Sequence, residues 1–149
     1  LSPEKEFVLA DSLQKRLKII EELCESIGIK NVTTVHGRAE DLARDLRHRE
    51  RYDLCVSRAV SNMAVLCEYC LPFVKIGGYM AAYKGADAAT ELEEAKSAIK
   101  LLGGQVERVV PTPLDRDGEE HKITMVKKVS QIKSKYPRKA GTPAKNPLK

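Results

Sequence analysis

The chain has 149 residues, the size of one ordinary domain, and is 42% hydrophobic with no tryptophan and 5% aromatic residues, enough for one modest core. No run approaches the roughly 18 consecutive apolar residues of a membrane-spanning helix, which excludes an integral membrane protein of helical type. The opening LSPEKEFVLADS shows no signal peptide, and the missing initiator methionine reads as a cut from something longer.

EFVLA (6–10) is a short apolar run of buried-strand type, followed by Asp11 and Ser12, either of which can cap a helix. Leu13, Leu17, Ile20, Cys24 and Ile27 then recur every three or four residues, which predicts an amphipathic helix stopped by Gly28. NVTTVH (31–36) is β-branched and predicts a second strand. A short, highly charged helix is expected from about Glu40 to Arg49. YDLCVSRA (52–59) predicts the third strand, and residues 62–74 an apolar helix closed by Pro72 and the Gly77-Gly78 pair. GYMAAYKG (78–85) predicts the fourth strand, and Ala88, Leu92, Ala95, Ile99 and Leu102 an amphipathic helix ending at Gly103-Gly104. QVERVV (105–110) and HKITMVKKV (121–129) read as the last strands. Their connection, PTPLDRDGEE, is too short for a crossover helix, so they are expected to pair as an antiparallel hairpin.

A body over residues 1–130 gives way to a tail over 131–149, in which Pro137, Pro143 and Pro147 punctuate the bases and predict extended chain. The net charge of +5 divides unevenly across these parts. From Lys127 to the end there are eight bases and no acid, whereas residues 1–126 hold 18 bases and 21 acids. A basic arm on an acidic body suits a polyanion, nucleic acid foremost; a solvated, disordered end is the alternative.

Alternating βα units ending in a hairpin describe an α/β fold with a doubly wound, Rossmann-like sheet. Such sheets bind ligands beyond the C-terminal ends of their strands. After the first strand stands Asp11, an acid suited to both hydroxyls of a ribose, or to a plain N-cap. After the second comes Gly37-Arg38-Ala39-Glu40, where a small Ala can lie against a purine and the amides opening the next helix can meet an adenine edge. Arg58 follows the third strand and Lys84 the fourth, two cations on one rim. Cys67 and Cys70 form a C-x-x-C without a second ligand pair, within an apolar helix, which favours packing over zinc or redox chemistry. Four cysteines without secretory features point to reduced thiols and a cytoplasmic location. The three histidines are scattered, and no nucleophile–base pair or phosphate-binding loop is visible.

The stretches LADSLQKRLKIIEEL, HGRAE, YDLCVSRAV, LPFVKIGGYMAAYKG and KYPRKAGTPAKNPL resemble the bacterial small-subunit ribosomal RNA methyltransferase family called G, or glucose-inhibited division protein B. The resemblance runs essentially end to end and departs at Ala140, where relatives usually carry a second proline. It implies the fold of the class I S-adenosyl-L-methionine-dependent methyltransferases and methylation of a guanine N7 in 16S ribosomal RNA. Ribosomal RNA or a ribosomal subunit precursor would be the partner, with no metal and no membrane. By matching positions, Asp11, Ser12 and Leu13 would line the ribose side of the cofactor, Ala39 and Glu40 would hold the adenosine, and Arg58 would contact the cofactor at the pocket mouth. Lys84 and the tail bases Lys133, Lys135, Arg138, Lys139 and Lys145 would contact RNA. No catalytic residue is assigned, in keeping with a nucleophile that already has a free lone pair.

Relatives also have an N-terminal helical region and a first strand ending in a glycine-rich loop, and this chain starts just before the family's second strand. That first strand would lie between the strands numbered first and third above. Its absence predicts two half-sheets with unpaired inner edges, poor cofactor binding and no methyl transfer by the isolated chain. Two other classes remain open: an NAD-dependent dehydrogenase, which needs G-x-G-x-x-G after its first strand, and a non-enzymatic RNA-binding module.

Overall fold

The first helix ends as its sequence dictates. Gly28 takes a left-handed conformation at φ +73, its amide donates to the Glu25 carbonyl and that of Ile29 to the Cys24 carbonyl, which closes a Schellman turn. The computed structural model describes residues 2–58, 61–85, 88–113, 118 and 120–149. In chain order they form β1 (Phe7–Asp11), α1 (Gln14–Ser26), β2 (Val32–His36), α2 (Ala39–Leu42), β3 (Tyr52–Arg58), α3 (Met63–Cys70), β4 (Val74–Lys84), α4 (Ala88–Leu101), β5 (Gly104–Pro111), β6 (Lys122–Lys128) and α5 (Thr142–Lys145). A 3-10 turn over Leu71–Phe73 joins α3 to β4.

The strands lie in two sheets. β1 and β2 pair in parallel, from Phe7 opposite Val32 to Asp11 opposite His36. The other sheet has the order β3-β4-β6-β5, with β3 and β4 parallel and β6 antiparallel to both of its neighbours. The hairpin expectation therefore holds, and β6 inserts between β4 and β5. Among the described residues β1 pairs only with β2 and β3 only with β4, which are the two expected half-sheets. Their free edges are apolar: Val8 and Leu9 on β1 and Leu54 on β3 are exposed, and Val56 is 69% exposed.

The core belongs to the four-stranded sheet. Gly78, Met80 and Ala82 of β4 and Thr124, Val126 and Lys128 of β6 are buried at alternate positions, the period of a half-buried strand. They meet α3, which is apolar apart from Glu68 and Tyr69 and is almost wholly buried, and the Leu92, Ala95 and Ile99 stripe of α4. The Lys128 ammonium ends inside this core. It reaches Glu50 Oε1 at 3.0 Å and the carbonyls of Leu71 and Val74 at 2.9 and 3.2 Å, so each of its three protons has an acceptor. Burial lowers its pKa, and Glu50 opposes that shift.

Three expectations need correction. β4 starts at Val74 and not at Gly78, because the glycine pair does not break the strand. Gly77 sits at φ +86 beside a register shift between Tyr52 and Leu54. A Cβ at Gly78 would lie 2.7 Å from the Asp53 carbonyl oxygen, so close strand approach requires glycine. The charged helix is one turn, not ten residues: beyond Leu42, Asp45 accepts the Arg47 amide at 2.9 Å and grips its guanidinium, drawing the chain into turns. That pairing holds the Asp45 carboxyl down at about 2.

The third correction is the tail. It is not a free extended arm but lies folded on the body, with Ile132, Tyr136, Pro137 and Pro143 buried. Its backbone carbonyls accept from two arginines of the α2–β3 connection. Arg44 reaches Pro137 O at 2.6 Å, and Arg49 reaches Tyr136 O at 2.8 Å and Lys133 O at 3.2 Å.

Candidate functional site

The C-terminal ends of the parallel strands carry the candidate residues in two groups. In the first, Asp11 ends β1 and its Oδ1 accepts the Leu13 amide at 2.8 Å, so it shapes the turn into α1 and does not cap the helix itself. Its Oδ2 meets the exposed Arg16 guanidinium at 3.3 Å. The Leu13 amide, more than Arg16, holds the carboxyl below its ordinary value, so it is ionised at neutral pH. Beyond the strand ends the Gly37 amide donates to Asp11 O at 3.0 Å and His36 Nε2 lies 3.1 Å from Ser12 O. These bonds bring Asp11, Ser12 and Leu13 beside the turn that opens onto Ala39 and Glu40.

Ala39 is half-buried at the start of α2, but Glu40 is buried and its carboxylate faces the other way. Glu40 Oε1 accepts the Gly141 amide at 2.8 Å, which leaves the backbone as what this residue offers a ligand.

In the second group, Arg58 is exposed at the end of β3 and lies 5.0 Å from the centre of the Tyr83 ring on β4. Tyr83 in turn packs against the His121 ring at 5.0 Å. Lys84 is only 11% exposed: its ammonium is 2.7 Å from Glu91 Oε2 and 2.6 Å from Ser61 O. Glu91 also accepts the Met63 amide at 2.9 Å, so Lys84 and Glu91 tie the end of β4 to the starts of α3 and α4. Ala59, read as part of the third strand, lies outside the described residues, as do residues 114–117 and 119 of the hairpin connection.

The tail bases divide by direction. Lys133, Lys135, Lys139 and Lys145 are exposed. Arg138 turns inward, where its guanidinium and its own amide all bond the Glu68 carboxylate, at 2.7–3.1 Å. Glu68, which is 0% exposed, escaped sequence reading because its partner lies 70 positions away. Arg44 and Arg49 escaped for the same reason, their partners lying 93 and 87 positions away.

The cysteines support packing. Cys67 and Cys70 are buried, and burial pushes the Cys67 thiol up to about 12. Among the described residues no cluster could hold a metal ion, and no helix is long and apolar enough to cross a membrane.

Comparison with known proteins decides the family. The model described as GidB, rRNA small subunit methyltransferase G, matches residues 1–121. The chain belongs to this family. Over 149 residues it is 44% identical to the ribosomal RNA small subunit methyltransferase G of Clostridium kluyveri, covering 100% of this chain and 62% of that one. Over 147 residues it is 48% identical to its counterpart in Alkaliphilus oremlandii, covering 99% and 62%. The chain thus spans about 62% of the length of these curated relatives. Among solved structures, an rRNA methylase from Streptococcus thermophilus superimposes with a TM-score of 0.58 at 14% identity, over 84% of this chain and 74% of that one. TYW2 from M. jannaschii, solved in complex with AdoMet, gives 0.62 at 13% identity, over 84% and 59%. The fold of this family member is that of the class I methyltransferases, with the antiparallel β5–β6 pair at its C-terminal end.

Proposed function

We propose that this chain supplies the adenosine side of the cofactor pocket and the RNA-facing arm of an S-adenosyl-L-methionine-dependent enzyme. It methylates guanine N7 of 16S ribosomal RNA, in the cytoplasm, on the RNA or a ribosomal subunit precursor. Membership of the G family favours this reading over an NAD-dependent dehydrogenase or a non-enzymatic RNA-binding module. The observation that carries it is the Asp11 turn beside Ala39 at the C-terminal edge of β1 and β2, where sheets of this class hold ligands.

The residues present fit such a cofactor. Asp11 is ionised and keeps lone pairs for a ribose diol, and Ala39 adds no bulk where a purine would lie. The Arg58 guanidinium is exposed and able to pair with a carboxylate. When bound, the cofactor supplies a methyl group on an electrophilic sulfonium. Guanine N7 has its lone pair free, so no side chain need remove a proton before attack. The work left to Asp11, Ala39 and Arg58 is orientation, an effect that can supply roughly 7–11 kcal/mol of barrier reduction. Lys133, Lys135, Lys139 and Lys145 would neutralise phosphates, while Arg138 and Lys84 are held by Glu68 and Glu91 and would act on RNA through the surfaces they brace.

Calorimetry of the full-length gene product with S-adenosyl-L-methionine and with NAD tests the reading. It predicts binding of the former alone; NAD alone would establish the dehydrogenase, and neither the RNA-binding module. Replacing the four exposed lysines by alanine should lower RNA affinity and flatten its salt dependence by up to about four ions. Deleting the arm would be a poorer test, because it would also strip Glu68 of its partner.

A further inference from the structure

The segment that carries Ala39 and Glu40 is held from both sides. On one side the Gly37 amide joins it to Asp11 of β1. On the other, the C-terminal arm grips it through three residues. Glu40 takes the Gly141 amide, a contact across 101 positions of sequence. Arg44 reaches Pro137 O at 2.6 Å. Arg49 bridges Ala43 O, at 3.2 Å on the end of α2, to Tyr136 O at 2.8 Å. Glu68 then fixes the arm itself through Arg138. Buried carboxylates such as Glu40 and Glu68 are costly unless hydrogen-bonded, so the arm must occupy this place for the segment to keep its shape. The same arm turns Lys133, Lys135, Lys139 and Lys145 to solvent.

We infer that the arm is a positioning element for the adenosine-binding turn, with Glu68–Arg138 and Glu40–Gly141 as its two latches. RNA held on its outer lysines and S-adenosyl-L-methionine held at the turn then strengthen each other's binding. This rests on the reading that Ala39 and Glu40 border the adenosine. The reciprocity follows from linkage: whatever RNA gains from an ordered arm, the cofactor gains from RNA. Arg138 and Glu68 touch neither reactant in this account and act through the turn.

The test is cofactor calorimetry on the full-length gene product without RNA. Arg138→Ala should weaken S-adenosyl-L-methionine binding by about tenfold, the scale of losing one or two charge-assisted hydrogen bonds. Arg138→Lys, which keeps the charge but not the bidentate grip, should recover part of that loss. Lys139→Ala should lower RNA affinity and leave the cofactor dissociation constant in place. Hydrogen exchange should quicken at amides 39–45 in Arg138→Ala while those of α4 keep their protection, a pattern that general destabilisation would not give. If Arg138→Ala fails to fold, truncation after Lys139 removes the Gly141 latch together with α5 but keeps Glu68–Arg138, and should produce the same shift. Wild-type cofactor affinity in both variants would overturn the inference. A protein that binds the cofactor but tolerates Ala39→Arg would overturn the adenosine reading beneath it, a separate and recognisable failure.

Discussion

Residues 7–36 and residues 63–128 use the same alternation of strand and helix, yet they bury very different shares of their apolar side chains. In the second region α3, α4 and the alternating faces of β4 and β6 enclose one another around Met63, Leu66, Leu71, Met80 and Val126. In the first, Leu17 is the one fully buried hydrophobic residue among those described, while Leu13, Ile19, Leu23 and Ile27 stay exposed. A helix on two strands has too little sheet to cover its stripe, whereas two helices on four strands close a core. The turn with Asp11, proposed above to meet the cofactor, lies on the less buried region, and on that proposal stability and binding are drawn from different parts of the fold.

Matched truncations sharpen this contrast most. Leu66 is 1% exposed and Leu23 is 56% exposed. Leu66→Ala should cost about 2–5 kcal/mol of unfolding free energy, and Leu23→Ala less than about 0.5 kcal/mol. Denaturant titration of both variants checks the pair, and equal losses would erase the distinction between the regions.

Thiol chemistry offers the next test. Cys24 is half-buried on α1, whereas Cys67 is enclosed and its thiol is pushed up to about 12. Native-state alkylation with iodoacetamide should therefore mark Cys24 before Cys67, which reacts only at the rate of unfolding. Early modification of Cys67 would mean that the core opens locally.

The smallest effect is electrostatic. The Leu13 amide depresses the pKa of Asp11 in the folded protein. Its charged form, and whatever it contributes to cofactor binding, is therefore fully present above the unfolded carboxyl value. That contribution is lost only as pH falls through the lower folded value. Cofactor affinity should be flat for this group from neutral pH down to about pH 5, and Asp11→Asn should weaken it at every pH in that range. A decline beginning near neutrality would assign the titration to another group.

Periodicity and breakers were enough to read the element order and the antiparallel end, whereas the half-sheet division came from the family resemblance. Val8, Val35 and Val56 alternate or cluster as strands require, and Gly28 and Gly103 stop helices where a left-handed residue is needed. Local patterns failed where long-range partners decide the outcome. Gly77 and Gly78 resemble a turn in sequence, but a strand with a positive φ at Gly77 and its backbone pressed against Asp53 at Gly78 needs them. The arm is rich in proline and lysine and reads as extended, yet Ile132 and Tyr136 are buried and Arg138 meets a carboxylate on α3. The places of Asp11 and Ala39 at strand ends were legible because they close or follow strands directly. The inward turn of Glu40, Lys84 and Arg138 was not, since each partner is set by tertiary contact.

The most direct measurement of the central claim is methyl transfer from S-adenosyl-L-methionine to small-subunit ribosomal RNA by the full-length gene product, mapped by borohydride–aniline cleavage, which cuts RNA at N7-methylguanosine. The account predicts one cleavage site at a guanine, dependent on the cofactor and lost in Asp11→Ala. Methylated RNA without an aniline-sensitive site, or no methylated RNA at all, would contradict it.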